Sequence, residues 1–185
     1  MEIKYFNSNF DKITQNKDTD QSITNLIEKL PSLNIVSEKN FLEETIKISN
    51  QFKEKKEKII VFGTGGSNLG ARALNNIISN NKIILEFYDN VDPINFEKNF
   101  QNINFELTGF LVISKSGTTP ETLSQFSCLY QKAIEANKVE DFFSNTLIIT
   151  EFKESPLFKI AKDNNCLLLE LSLIHISEPT RHRGI

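Results

Sequence analysis

The sequence predicts an α/β fold, a doubly wound parallel sheet flanked by helices, with a helical prefix ahead of it. Three observations predict it. Five short runs, IIVFG (59–63), IILEFY (83–88), FLVIS (110–114), NTLIIT (145–150) and CLLLEL (166–171), are dominated by aliphatic and aromatic residues, as strands buried on both faces are. Stretches with helical signals separate them, which makes a repeated βα unit and hence parallel strands joined by crossovers. The first and third runs each lead into a loop of Gly, Ser and Thr and then a helix start, and in such folds ligands bind beyond the carboxyl ends of the strands.

Residues 1–20 are polar, and SITNLIEKL (22–30) reads as a short helix ended by Pro31. From Glu38 to about Lys56, Leu42, Ile46, Ser49 and Phe52 fall at helical spacing. KEKKEK (53–58) has nearly cancelling charges and reads as a solvated helix end. Further helices are expected over Leu69–Asn80, Pro93–Phe100, Pro120–Asn137 and Pro156–Asp163. In the third of these, Leu123, Phe126, Tyr130 and Ile134 form an apolar stripe, with Gln125, Lys132 and Glu135 off it. Pro120 suits the first helical position and Thr119 the N-cap. The chain thus divides into an N-terminal helical segment (1–57), the α/β domain (58–170) and a tail (171–185).

That tail, LSLIHISEPTRHRGI, breaks character with the rest: Arg72 is the sole arginine up to residue 170, and Arg181 and Arg183 then follow close together. It is read as a translated transposase-type sequencing adaptor and set aside from fold reasoning. His175 and His182 go with it, so neither is a candidate base or metal ligand, and no metal site is expected. The hydrophobic fraction of 39% and charged fraction of 24% belong to a soluble globular chain. A net charge of −3 gives no electrostatic case for nucleic acid. No run approaches a membrane span, and MEIKYFNSNFDK lacks the apolar core of a signal peptide, which predicts a cytoplasmic location. Cys128 and Cys166 make no disulfide framework and are expected as buried small apolar residues.

The two loops carry the candidate chemistry. In the first, Gly63, Gly65 and Gly66 invite a dinucleotide fingerprint, with Asp89 as the ribose-binding acid, but G-x-G-x-x-G needs glycine at 68 and finds Asn68. A tight turn that needs glycine and holds no ligand remains open. In the second, Ser114, Ser116, Thr118 and Thr119 crowd around Lys115 ahead of a helix. Four hydroxyls and a cation exceed what a cap requires, and with the helix dipole they suit a phosphate dianion. The Walker order G-x-x-x-x-G-K-[ST] is absent.

GTGGSNLGA together with SKSGTTPET resembles the sugar isomerase domain. DNVDP (89–93) and ITEFKESPLFKIAKDNN (149–165) make the chain similar to the glucose-6-phosphate isomerase (phosphoglucose isomerase) family, as an N-terminal fragment matching over about residues 38–170. The resemblance implies a flavodoxin-like three-layer domain and reversible aldose–ketose isomerisation of glucose 6-phosphate and fructose 6-phosphate through a cis-enediolate. It implies no metal or redox cofactor, and a homodimer for full-length members. The implied phosphate site is Ser114, Lys115, Ser116 and Thr119, with Thr122 supporting, joined by Ser67 of the Gly65-Gly66-Ser67 turn. Glu121 stands where the family places a carboxylate that orients the ring-opening histidine; read physically, it is a first-turn acid favoured by the helix dipole, expected to point away from the anion.

In the family, a G-G-R arginine, the base glutamate, the ring-opening histidine and a late lysine all follow the stretch matched here, as does a second sugar isomerase domain. Arg72 is no substitute and is expected at the surface or a dimer contact. The chain itself is therefore expected to bind a hexose phosphate without isomerising it. Two other readings are another phosphosugar isomerase with the same domain, and a non-catalytic sugar-phosphate-binding regulator. Against the regulator, residues 1–57 show no recognition helix.

Overall fold

In the computed structural model, which describes residues 21, 24, 39–78 and 82–171, the five apolar runs become β1 (Lys58–Phe62), β2 (Ile84–Tyr88), β3 (Thr108–Ile113), β4 (Thr146–Thr150) and β5 (Leu167–Glu170). They form one sheet in the order β2-β1-β3-β4-β5, every neighbouring pair parallel. The chain steps from β1 outward to β2, returns past β1 to β3, and then continues in one direction. Its course therefore reverses between β1 and β3, the topological switch point where open α/β sheets leave a crevice. Phe62 stands opposite Val112, so the carboxyl ends of these two strands are level.

The larger of two compact units in the chain, Lys39–Ile185, has six helices among its described residues: α1 (Lys39–Phe52), α2 (Gly66–Ile77), α3 (Pro93–Asn99), α4 (Pro120–Glu135), α5 (Val139–Ser144) and α6 (Pro156–Asp163). Alternation along each strand sends side chains to opposite faces. Ile60, Phe62, Phe110, Val112 and Ile148 pack under Phe96 and Phe100 of α3 and its end, Phe126 and Leu129 of α4, Phe142 of α5 and Leu157 of α6. Ile59, Val61, Leu147 and Leu169 face the other way and pack with Phe52 of α1. Both faces are apolar, which is why the strands read as unbroken runs. On the second face a cleft of about 530 Å³ remains, lined by Val61, Leu85, Phe87, Leu111 and Ile113 among others. Leu69, Leu74 and Ile77 on α2 are exposed.

Several expectations are corrected. Helix α2 starts at Gly66 rather than Leu69, which takes Ser67 and Asn68 into its first turn. The six-residue α5, VEDFFS, was not anticipated; it is too short to show a helical period. Leu42 and Ile46 of the expected α1 stripe are exposed, and burial in α1 falls on Phe52. Gln125, expected off the α4 stripe, is 1% exposed because its amide Nε2 donates to the Asn90 carbonyl at 2.6 Å. Cys128 is exposed, not buried, while Cys166 is partly buried and burial pushes its thiol up to about 11. Burial, and then the Glu86 carboxylate, push the Tyr88 hydroxyl up to about 12, which keeps it a neutral donor to Glu86. The helix expected over 22–30, Thr24 apart, and the tail with His175 and His182 lie outside the described residues. Among the described residues no helix is long and apolar enough to cross a membrane.

Candidate anion-binding site

The first loop leaves β1 at Gly63, whose N–H donates to the Tyr88 carbonyl at 3.4 Å. A Cβ at Gly63 would lie 3.2 Å from Ser67 Cβ and 3.4 Å from the Ile113 carbonyl oxygen. Glycine here lets the start of α2 close onto the end of β3, so the first loop meets the residue that precedes the second. Gly65 caps α2 at φ 55° and ψ −126°, a conformation that side chains resist although space around it is open. Its lack of a side chain leaves the helix uncapped, and no acidic residue lies in the first turn. The N–H groups of Ser67, Asn68 and Leu69 donate to the Thr64 and Gly65 carbonyls, while no side chain offsets the positive pole of α2. Gly65 and Gly66 are exposed and Ser67 is half-buried. Asn68, fully buried, ties the loop by donating from Nδ2 to the Gly63 carbonyl at 3.1 Å.

The second loop leaves β3 at Ser114, whose N–H continues the ladder to Ile149 at 3.1 Å. The buried Ser114 hydroxyl lies 2.8 Å from that of Thr119 and accepts from the Gly117 N–H at 3.1 Å. This closes the loop into a ring. Thr119 occupies the N-cap position as expected, yet its side chain makes no cap hydrogen bond; the bond to Ser114 takes its hydroxyl instead. Pro120 at the first helical position has no N–H to lose. Ser116 Oγ accepts twice, from the Thr118 N–H at 3.2 Å and the Thr118 hydroxyl at 2.9 Å, so its own proton is left to donate outward. Lys115 is half-buried, and none of the ion pairs among the described residues uses it. Thr122, in the first turn of α4, is fully buried with an unpartnered hydroxyl. Glu121 is exposed in the first turn of α4.

Sequence reasoning missed the support behind this ring. The Glu151 N–H at 3.2 Å and the Thr150 hydroxyl at 3.4 Å both donate to the Lys115 carbonyl, and the Leu157 N–H donates to the Gly117 carbonyl at 3.2 Å. Gly117 sits at φ 65°, and a Cβ there would overlap the Ser155 hydroxyl and lie 3.0 Å from Thr150 Oγ1. Ser155 in turn caps α6, accepting from the Phe158 N–H at 3.3 Å. The only available signal was a Ser-Pro pair at 155–156, which marks a helix start but says nothing of which loop the cap will touch. Asp89, weighed above as a ribose ligand, pairs with Arg72 at 3.4 Å. Arg72 is thus at the surface, as expected, and tied within its own domain. Among the described residues no cluster of His, Cys, Asp and Glu could hold a metal ion.

What this arrangement offers is two glycine- and hydroxyl-rich loops that meet at the switch point, each opening a helix N-terminus without a side-chain cap, with the Ser116 proton left to donate and Lys115 outside the ion pairs of the described residues. Such a set suits a phosphate group. Comparison with known proteins shows the family. The family described as phosphoglucose isomerase matches residues 16–168. The glucose-6-phosphate isomerase of Prochlorococcus marinus subsp. pastoris is 35% identical over 125 residues, which cover 65% of this chain and 23% of that protein. Among solved structures, a hypothetical protein of Thermus thermophilus superposes with a TM-score of 0.66 at 22% identity, covering 84% of this chain and 38% of that one. A glucose-6-phosphate isomerase of Chlamydia trachomatis gives 0.61 at 23% identity, covering 71% and 26%. These two likenesses concern the fold. The chain spans about a quarter of the length of the curated relatives it matches.

Proposed function

We propose, from the premise that this chain belongs to the phosphoglucose isomerase family, that residues 58–170 form the phosphate-anchoring half of a hexose 6-phosphate isomerase site. The observation that carries the reading is the meeting of two glycine- and hydroxyl-rich loops at the carboxyl ends of β1 and β3, each opening a helix. The dianion would take the backbone N–H groups of Gly65 and Gly66, ahead of the bonded first turn of α2, those at the start of α4, the hydroxyls of Ser67, Ser116 and Thr119, and the Lys115 ammonium. Ser114 shapes the ring that presents them, and Thr122 supports it from below. Glu121 faces solvent and is free to orient a group that approaches from outside the loop.

The reaction of the whole enzyme would be the aldose–ketose interconversion of glucose 6-phosphate and fructose 6-phosphate. It requires a base at C2 and a group that opens the ring. Residues 1–170 contain no histidine and Arg72 as their sole arginine, which is held by Asp89. A positioned acid or base contributes about 10²–10⁴-fold, so this chain alone would hold the substrate without turning it over. The phosphate anchor would bring binding energy remote from the reacting carbons, which enzymes of this kind convert into orientation.

Calorimetric titration tests the reading. Glucose 6-phosphate is expected to bind and glucose is not, with affinity falling as pH drops through about 6, where a phosphate monoester loses its second charge. Lys115→Ala is expected to weaken binding about ten- to a hundredfold, the range of a charge-assisted hydrogen bond, with the melting temperature unchanged. Equal affinity in the alanine variant, or binding of glucose as tight as that of its phosphate, would refute the anchor. Turnover of fructose 6-phosphate by the purified chain in a coupled assay would refute the division of labour.

A further inference from the structure

Peptide dipoles in the second loop are oriented from behind. The trans peptide plane fixes each C=O opposite the N–H that follows it, so drawing a carbonyl rearward turns the next N–H forward. Two carbonyls are drawn rearward here, those of Lys115 and Gly117, and all three donors to them come from one segment, Thr150 to Leu157. Two of the three are backbone groups that any residue would supply. The third is the Thr150 hydroxyl, fully buried at the last position of β4 and 3.0 Å from where a Gly117 Cβ would lie. Its register partner is Glu170 of β5, so the strand ladder holds it in place.

We infer that Thr150 is a positioning residue of the anion site: it touches no ligand, and it sets phosphate affinity by holding the Lys115 carbonyl away from the anion and the Ser116 N–H toward it. This rests on the reading of the site given above. A carbonyl oxygen released into the crevice would present a lone pair to a dianion and withdraw a donor at once, so a single buried hydroxyl acts on two interactions. The Glu151 N–H to the same carbonyl, at 3.2 Å, holds only one of its lone pairs.

Thr150→Val removes the hydroxyl at constant shape, and Thr150→Ser restores it. With inorganic phosphate as the probe, the valine variant is expected to bind about three- to tenfold more weakly, the range of one neutral hydrogen bond, and the serine variant within about twofold of the parent. Unchanged affinity in Thr150→Val, or equal loss in both variants, overturns the inference. A second measurement needs no ligand: amide exchange of Gly117, whose N–H is bonded to Ser114, is expected to quicken in the valine variant and return to the parent rate in the serine variant. Should the parent bind no phosphate, the site reading fails while exchange still decides the positioning role; exchange that ignores the hydroxyl overturns it. A valine variant that failed to fold would be replaced by Thr150→Ala, read against the same serine control.

Discussion

Replacing Gly117 with alanine is expected to destabilise the domain by about 2–5 kcal/mol and to abolish measurable phosphate binding. Two costs combine. The backbone at φ 65° penalises any Cβ by about 1–2 kcal/mol, and the new methyl would overlap the Ser155 hydroxyl and crowd Ser155 Cβ at 2.8 Å, an overpacking of about 1–3 kcal/mol. Relief requires Gly117 to move off Ser155, which breaks its carbonyl bond from Leu157 and the ring bond from its own N–H to Ser114. Affinity should therefore fall along with stability. Urea unfolding and phosphate titration of the same sample check both. The double change Gly117→Ala, Ser155→Gly removes the clash with Ser155 but keeps the positive φ and the 3.0 Å approach to Thr150 Oγ1 and gives up the α6 cap, so it is expected to recover part of the stability and not all. A full recovery would mean that neither the backbone conformation nor the Thr150 approach costs stability.

Phe142→Ala is expected to cost about 3–5 kcal/mol, as large-to-small changes in a full core do. Phe142 is fully buried on the first-face core and is the hub of an aromatic cluster, with ring centroids 5.1 Å from Phe110, Phe126 and Phe143. Its loss would open a void shared by β3, α4 and α5. Domains of this size hold about 5–15 kcal/mol in total, so the variant stands near the edge of folding. Phe152→Ala is the contrast. That ring is 48% exposed and its loss is expected to change stability by about 0.5 kcal/mol. Chemical denaturation midpoints compare the two, and similar losses would contradict the assignment of the core.

Much of this fold was legible because its strands are apolar on both faces. Continuous runs such as IIVF and FLVI leave no doubt about burial, and their alternation with helices fixes a parallel sheet before any contact is known. The two loops were legible for a related reason: glycine and hydroxyl residues concentrated between a strand and a helix have few structural roles. What the sequence did not reveal depends on contacts between elements distant in the chain. Gln125 reads as a solvent-facing polar residue until Asn90 supplies an acceptor for its amide. Leu42 and Ile46 fall on a helical stripe, but the face under that stripe is open where they lie. Cys128 follows a composition rule that its position on the outer side of α4 overrides.

The site divides in the same manner. Ser114, Lys115, Ser116 and Thr119 stood out as a hydroxyl-rich run with a cation ahead of a helix, and Ser67 was proposed through the family resemblance; the structure brings their two loops to the switch point. Their separate tasks could not be read from spacing. Ser114 and Thr119 bond each other, Ser116 keeps a free proton, and the Thr122 hydroxyl is buried without a partner. Thr150 and Ser155 carried no signal of this role, since their effect passes through contacts with a loop more than 30 residues away in sequence.

Chemical-shift mapping of the ¹⁵N-labelled chain during titration with glucose 6-phosphate tests the central claim most directly. The account predicts that amides of Gly65–Ser67 and of Lys115–Thr122 shift together, with one shared dissociation constant, and that inorganic phosphate moves the same set. Shifts confined to one loop, or centred on another part of the sheet, would contradict it.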